Sequence, residues 1–386
     1  MLDILWLILI ILIIILGIRL SFYIKFKNYK IFSLIKSLNF NTLFISLGTK
    51  MGVGALIGTS MSVIIGGPGS LIWMFLFTLL TSSIIYTESY LGNKYKETTL
   101  FGNISGIYFY TKKALNKKSL AIITLILFII TYSIFFLMIQ TNTISNILNI
   151  NKYLISFIIL IFLLLLLNNN ISELTKLITK IVPIVSIFFI SISVFAIGKH
   201  SYMLTSIIKD ILYDAFNSKS ILTGMIIGIK RSIFLNELLI GTASFTSSSN
   251  KKETPNTLVL GTYFITFIIS TLIALLLLTY TGHYSTSYIK TLLQVFTYHF
   301  GNYGHYFLAL IICLLGTSSI ISGIYIGLSN LTHLTNKKIV LIFKIILTIF
   351  LLLGIFISTN NLWLITDISM LILILLNIYI INKIID

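Results

Sequence analysis

The sequence predicts an all-α polytopic membrane protein of about eleven transmembrane helices, built as a five-plus-five inverted repeat with two broken helices. Three observations point there. The 386 residues are 57% hydrophobic and only 10% charged, with a mean hydropathy of +1.04, far from the balance of a soluble domain. Apolar runs of spanning length recur along the chain. Two of these runs are interrupted by glycine and polar residues at mid-membrane depth, where unpaired backbone groups are costly.

With a span taken as roughly 20 apolar residues, the segments lie at about 3–24, 42–66, 70–92, 119–140, 152–168, 173–198, 222–246, 257–280, 304–328, 337–357 and 361–382. The first carries Asp3 in place of a basic leader and has no small-residue cleavage site after it, so it is a span and not a signal peptide. The second contains G-T-K-M-G-V-G-A-L-I-G, Gly48 to Gly58, and ends at G-G-P-G, Gly66 to Gly69. The seventh contains R-S-I-F-L-N-E-L-L-I-G, Arg231 to Gly241. Such interruptions are tolerated where the opened backbone faces protein or a water-filled cavity, and two in corresponding halves suggest a transporter binding site.

Segments two to six and seven to eleven each begin with the interrupted helix. Because five is odd, the two sets run through the membrane in opposite senses. The whole chain, 1–386, is therefore expected to be one transmembrane transporter domain: 1–40 an extra first helix and cytoplasmic loop, 41–200 the first repeat, 220–386 the second.

The net charge of +17 would suit a nucleic-acid partner, but its distribution excludes one. Lys25, Lys27, Lys30 and Lys36 follow segment one, Lys94, Lys96, Lys112, Lys113, Lys117 and Lys118 follow segment three, Lys251 and Lys252 follow seven, and Lys337 and Lys338 follow nine. Opposite loops hold scattered lysines such as Lys219. This alternation is the positive-inside pattern, predicting a multi-pass cell-membrane protein with its amino terminus outside, its carboxyl terminus cytoplasmic, and its basic loops against lipid headgroups. The single cysteine, Cys313, lies inside a span. The five histidines are spread over loops and helix ends, and no nucleophile has a histidine and carboxylate at meaningful spacing. Neither a metal cluster nor an enzyme is expected, and no cofactor.

The residues resemble the alanine or glycine:cation symporters, sodium-coupled amino-acid transporters of the amino acid-polyamine-organocation superfamily. G-V-G-A-L-I-G followed by G-G-P-G-S-L-I-W-M resembles the family's G-T-G-N-I-A-G and G-G-P-G-A-x-F-W-M. Y-T-E-S-Y-L-G-N-K-Y-K, Tyr86 to Lys96, and G-I-Y-F-Y-T-K-K-A-L, Gly106 to Leu115, are similar to further family strings. So are Gln140 with Asn142, K-I-V-P at Lys180 to Pro183, and G-I-K-R-S-I-F-L-N-E at Gly228 to Glu237, the most recognisable string. Trp363, Asp367 and Asn377 match the last helix. Departures cluster in the expected pocket: Val53 and Ala55 replace a threonine and an asparagine, Ile265 an aspartate, and Gly323 a tryptophan.

The resemblance implies sodium-coupled symport of a small neutral amino acid by alternating access, with a substrate altered by these departures and larger where Gly323 stands. The alternative is a diverged member that binds a ligand or partner without coupled transport. A zwitterionic amino acid needs positive potential at its carboxylate and oxygens at its ammonium, and an opened helix supplies both. Gly52 and Gly54 suit that role because glycine allows close approach to the main chain, although G-x-x-x-G spacing also serves helix packing. The resemblance adds Val53, Ala55, Gln140, Phe234, Asn236 and Gly323 to the substrate site, with Asn236 adjoining the opened backbone. It places hydroxyl ligands for sodium in the run Thr317, Ser318, Ser319 and Ser322, with Ser319 first, Ser318 next and Gly52 opposite. Intramembrane charges must be paired, so Lys50, Glu88, Arg231 and Glu237 are expected to form a cytoplasmic gate network, or else a permanent structural ion pair.

Overall fold

A computed structural model describes residues 2–99, 102–168, 171–217, 221–245, 254–285, 287–331 and 337–386. Lys219, Lys251 and Lys252, used above to assign the loops, lie outside the described residues. In chain order the elements are α1 (Leu2–Tyr23), α2 (Ile31–Lys36), α3 (Phe40–Lys50), α4 (Val53–Gly66), α5 (Ser70–Lys94), an antiparallel hairpin of β1 (Glu97–Thr99) and β2 (Gly102–Ile104), and α6 (Ile107–Leu115). Then come α7 (Lys118–Leu148), α8 (Lys152–Asn168), α9 (Ile171–Lys199), α10 (Leu204–Phe216), α11 (Ile221–Asn236) and α12 (Thr242–Phe245). The chain ends with α13 (Thr254–Leu278), α14 (Tyr288–Phe300), α15 (Gly304–Leu331), α16 (Lys337–Gly354) and α17 (Thr359–Ile385).

Apart from the hairpin the described residues form helices and their connections, as the composition requires. By length and composition 7 helices among the described residues can cross a membrane, or 8 with the pair α3 and α4, bent by 57°, counted as one span. The other predicted segments fall on α8, of 17 residues, on α11, of 16 residues, and on α16, whose 18 residues include Lys337, Lys338 and Lys344. Outward-facing side chains such as Phe157, Leu165, Ile184 and Ile187 are exposed and apolar, the surface a lipid solvent selects.

The broken helices occupy the centre. α4 packs against α11 and α15, α11 against α5, and α3 against α9, α13 and α15. Two wide π-turn segments, Ile129–Phe136 in α7 and Phe264–Ile269 in α13, sit beside this centre, a placement common at functional sites.

Candidate functional site

The first break lies at Met51 and Gly52, between α3 and α4. A break frees carbonyls at the end of one half-helix and N–H groups at the start of the next, and in a bilayer each must find protein. The freed Gly48 carbonyl accepts from Ser319 Oγ of α15 at 3.2 Å. The freed Val53 N–H donates to Gln140 Oε1 of α7 at 3.0 Å. Gly52 lies between these two side chains: a Cβ there would stand 3.1 Å from Gln140 Oε1 and closer still to Ser319 Oγ. Glycine is required here by proximity, since its φ of −97° is open to any residue.

The second break follows α11. Glu237 (φ 52°) and Leu239 (φ 60°) both adopt the left-handed conformation, and Gly241 (φ 100°) completes the turn. Two left-handed non-glycine residues cost roughly 1–3 kcal/mol each and persist only where the surroundings enforce them. Asn377 Nδ2 of α17 donates to the freed Leu239 carbonyl at 2.9 Å and to Glu88 Oε1 at 2.6 Å, while the Gly241 backbone lies at the Glu88 carboxylate. Four side chains from unbroken helices, Ser319, Gln140, Asn377 and Glu88, thus attend the opened backbone.

The charged candidates separate into two clusters. Lys50 lies within electrostatic reach of Glu237 and Glu88, all three buried, and its Nζ donates to Thr262 Oγ1 at 2.7 Å. Tyr132 OH donates to Glu237 Oε1 at 3.0 Å, and Tyr110 OH to Asn377 Oδ1 at 2.7 Å. Arg231 is not part of this group. It precedes the second break by more than a helical turn and its Nη2 lies 3.6 Å from Asp367 Oδ2, which also receives Lys230 Nζ at 2.7 Å. At the ordinary helical rise, Asp367 and Asn377 stand about 15 Å apart along α17, so the single network expected from sequence is two.

Aromatic rings connect the clusters. Trp363 lies over the Arg231 guanidinium at 4.7 Å and 4.6 Å from Phe234. Phe234 stacks on Phe136 at 4.9 Å, and Phe136 on Tyr132 at 5.1 Å. Phe234 seats against Gly54, where a Cβ would lie 2.6 Å from the ring. Phe234 and Gly54 are therefore in direct contact.

The hydroxyl run divides sharply. Thr317, Ser318 and Ser322 donate to carbonyls of their own helix, at Leu314, Leu315 and Ser318, the usual behaviour of such residues in membrane helices. Ser319 alone of the four donates across to the broken helix.

Two further expectations change. Asn236 does not bond the opened backbone: its amide joins Thr78, Ser232 and Thr266, because the last turn of α11 points it at α5 and α13. Gly323 opens no space, since Leu137 fills it and a Cβ there would lie 2.6 Å from Leu137 Cδ2. Ala55 and Ile265 are buried apolar residues, and the Ala55 N–H donates to Gly52 O at 3.0 Å within the first turn of α4. Tyr132, Asn377, Trp363 and Lys230 were not among the expected site residues; Trp363 and Asn377 were matched to the last helix without a role, Lys230 directly precedes Arg231, and Tyr132 is legible only once the helices are packed.

The chain matches the sodium:alanine symporter family over residues 1–385. It is 25% identical to the probable sodium/glutamine symporter GlnT of Bacillus subtilis, over 90% of this chain and 76% of that protein. It is likewise 25% identical to the amino-acid carrier protein AlsT of the same organism, over 88% and 76%. The sodium/alanine symporter AgcS of Methanococcus maripaludis is 24% identical over 62% of this chain and 57% of its own length.

Proposed function

As the chain belongs to the sodium:alanine symporter family, we propose that it carries a small neutral amino acid with sodium across the cell membrane by alternating access. The observation that carries this reading is the bond from Ser319 to the Gly48 carbonyl beside Gly52. Sodium takes oxygen ligands, and here a hydroxyl and a freed carbonyl from two helices already converge. The Val53 N–H, at the positive end of the α4 dipole, is suited to a substrate carboxylate once Gln140 yields it. Phe234, Gly54 and the filled position at Gly323 favour a substrate of alanine or glycine size. Lys50, Glu88 and Glu237 close the path on the side of the α3 end of the break, and Arg231 with Asp367 on the other. In this reading the amino terminus is outside and the carboxyl terminus cytoplasmic, and residues 41–200 and 220–386 are the inverted repeats of one domain.

The test is uptake of radiolabelled alanine, glycine and glutamine into proteoliposomes with and without an inward sodium gradient. Sodium-dependent uptake of one of them supports the reading. Absence of uptake across a wider amino-acid panel, with the protein folded, returns the non-transporting alternative.

A further inference from the structure

The cluster around Arg231 is rich in donors and poor in acceptors. Arg231 is 6% exposed, and its Nε and Nη1 have no hydrogen-bond partner among the described residues. The indole Nε1 of Trp363, on the ring that covers the guanidinium, also has none. Lys230 lies 4.9 Å from the Trp6 ring, whose own buried Nε1 is a fourth N–H without a partner. Against these donors stands, among the described residues, one carboxylate, Asp367, whose Oδ2 is 2.7 Å from Lys230 and at 3.6 Å is too far from Arg231 Nη2 for a hydrogen bond. Two cations share one anion, so the cluster carries one uncompensated positive charge.

Buried guanidinium groups are ordinarily hydrogen-bonded and paired. What is missing is an acceptor with one negative charge. We propose that Arg231, with the Trp363 indole N–H, forms a binding site for a monovalent anion, either a halide or the carboxylate of an amino acid entering the protein. The site lies beyond the first break: Arg231 Cδ packs 4.0 Å from the Cβ position of Gly58, one helical turn along α4 from Gly54 and its Phe234 wall. A carboxylate held there is within reach of the aromatic wall of the pocket, and Asp367 competes with it for the guanidinium. The proposal concerns binding and stands whether or not the protein transports.

Trp363 is a built-in reporter. Purified protein is titrated with sodium bromide, balanced by sodium sulfate at constant sodium, and tryptophan fluorescence is followed. A saturable quench is expected, lost in Trp363→Phe and in Arg231→Gln. In Asp367→Asn the competing charge is removed, so half-saturating bromide should fall by roughly tenfold. Competition by alanine but not by alaninamide identifies the carboxylate as ligand; competition by chloride but not alanine identifies a halide. A quench that is linear in bromide, or one with the same half-saturation in folded Asp367→Asn, overturns the proposal. Saturable binding without uptake would leave the anion site standing and remove the transport reading.

Discussion

Ser319→Ala separates an ion ligand from a packing serine. The hydroxyl bonds the Gly48 carbonyl at 3.2 Å, and both groups are buried. Removing it leaves a freed carbonyl at the break without its protein partner, at a cost of about 1–3 kcal/mol. If the same hydroxyl is a sodium ligand, sodium binding loses only the net gain of exchanging that hydrogen bond for a cation contact, roughly 0.5–1.5 kcal/mol, where about 1.4 kcal/mol corresponds to tenfold in affinity. The half-saturating sodium for uptake should therefore rise by more than about twofold and up to roughly 13-fold. Ser318→Ala and Ser322→Ala supply the control. Their hydroxyls serve carbonyls of α15 itself, which keep their helical partners when the hydroxyl goes, so the shift should stay within about twofold. The assay is sodium-dependent uptake in proteoliposomes with protein amounts matched. An unchanged sodium dependence in Ser319→Ala, or equal shifts in all three variants, refutes the assignment.

Gly54→Ala drives a methyl into the Phe234 ring, 2.6 Å away; overpacking of this kind costs about 1–3 kcal/mol, and uptake should fall at least tenfold with the fold retained by thermal unfolding. Gln140→Leu removes the acceptor of the Val53 N–H and should lower thermal stability by about 1–3 kcal/mol, a loss that added substrate partly restores if its carboxylate takes the same N–H. Asn377→Leu strips partners from Glu88, Tyr110 and the Leu239 carbonyl together, and should destabilise more than Gln140→Leu in the same melt. At the carboxyl end, Arg19 bonds Asp386 at 2.5 Å and holds its carboxyl below the usual carboxylate range. The contact should therefore be present at neutral pH and lost only as pH falls through that lowered value, a transition that NMR titration reads and Arg19→Gln moves upward.

Which parts were legible in sequence follows from the range of the forces involved. The two breaks were, because glycine and charge inside an apolar run violate a local rule whatever the neighbours are. Ser319 was legible as a member of a run, but only helix packing distinguishes it from Ser318, since the choice depends on which face of α15 meets α3. The charged residues were identified one by one and grouped too broadly. Arg231 and Glu237 are close in sequence, yet Arg231 stands on α11 ahead of the break and lies at Asp367 of α17, whereas Glu237 lies in the break itself and accepts from Tyr132 of α7. Gly323 misled for a related reason: a small residue reads as space, whereas Leu137 of α7 already occupies it. Asn377 was matched to the family's last helix without a role, and Tyr132 carried no local signal, because phenols in spans are common and only packing shows which one reaches a buried carboxylate.

The opened backbone has a consequence for affinity. Gln140 already accepts from Val53, and Ser319 already donates to Gly48, so a bound carboxylate or cation replaces existing hydrogen bonds and does not fill vacant ones. Net gain per contact is then small, near the roughly 0.5–1.5 kcal/mol typical of exchanged hydrogen bonds, which suits a carrier that must release what it binds. It also couples the ligands: Gln140 stands on α7 and Ser319 on α15, and these two helices pack on each other as well as on the broken pair. Occupying one position displaces a cap whose helix bears on the other, so the proposed sodium and substrate sites, at Gly52 and Val53, would be energetically linked through the caps. A Gln140→Leu, Ser319→Ala double-mutant cycle on substrate affinity should accordingly be non-additive by more than about 0.5 kcal/mol, whereas additivity would mean that the two caps act independently.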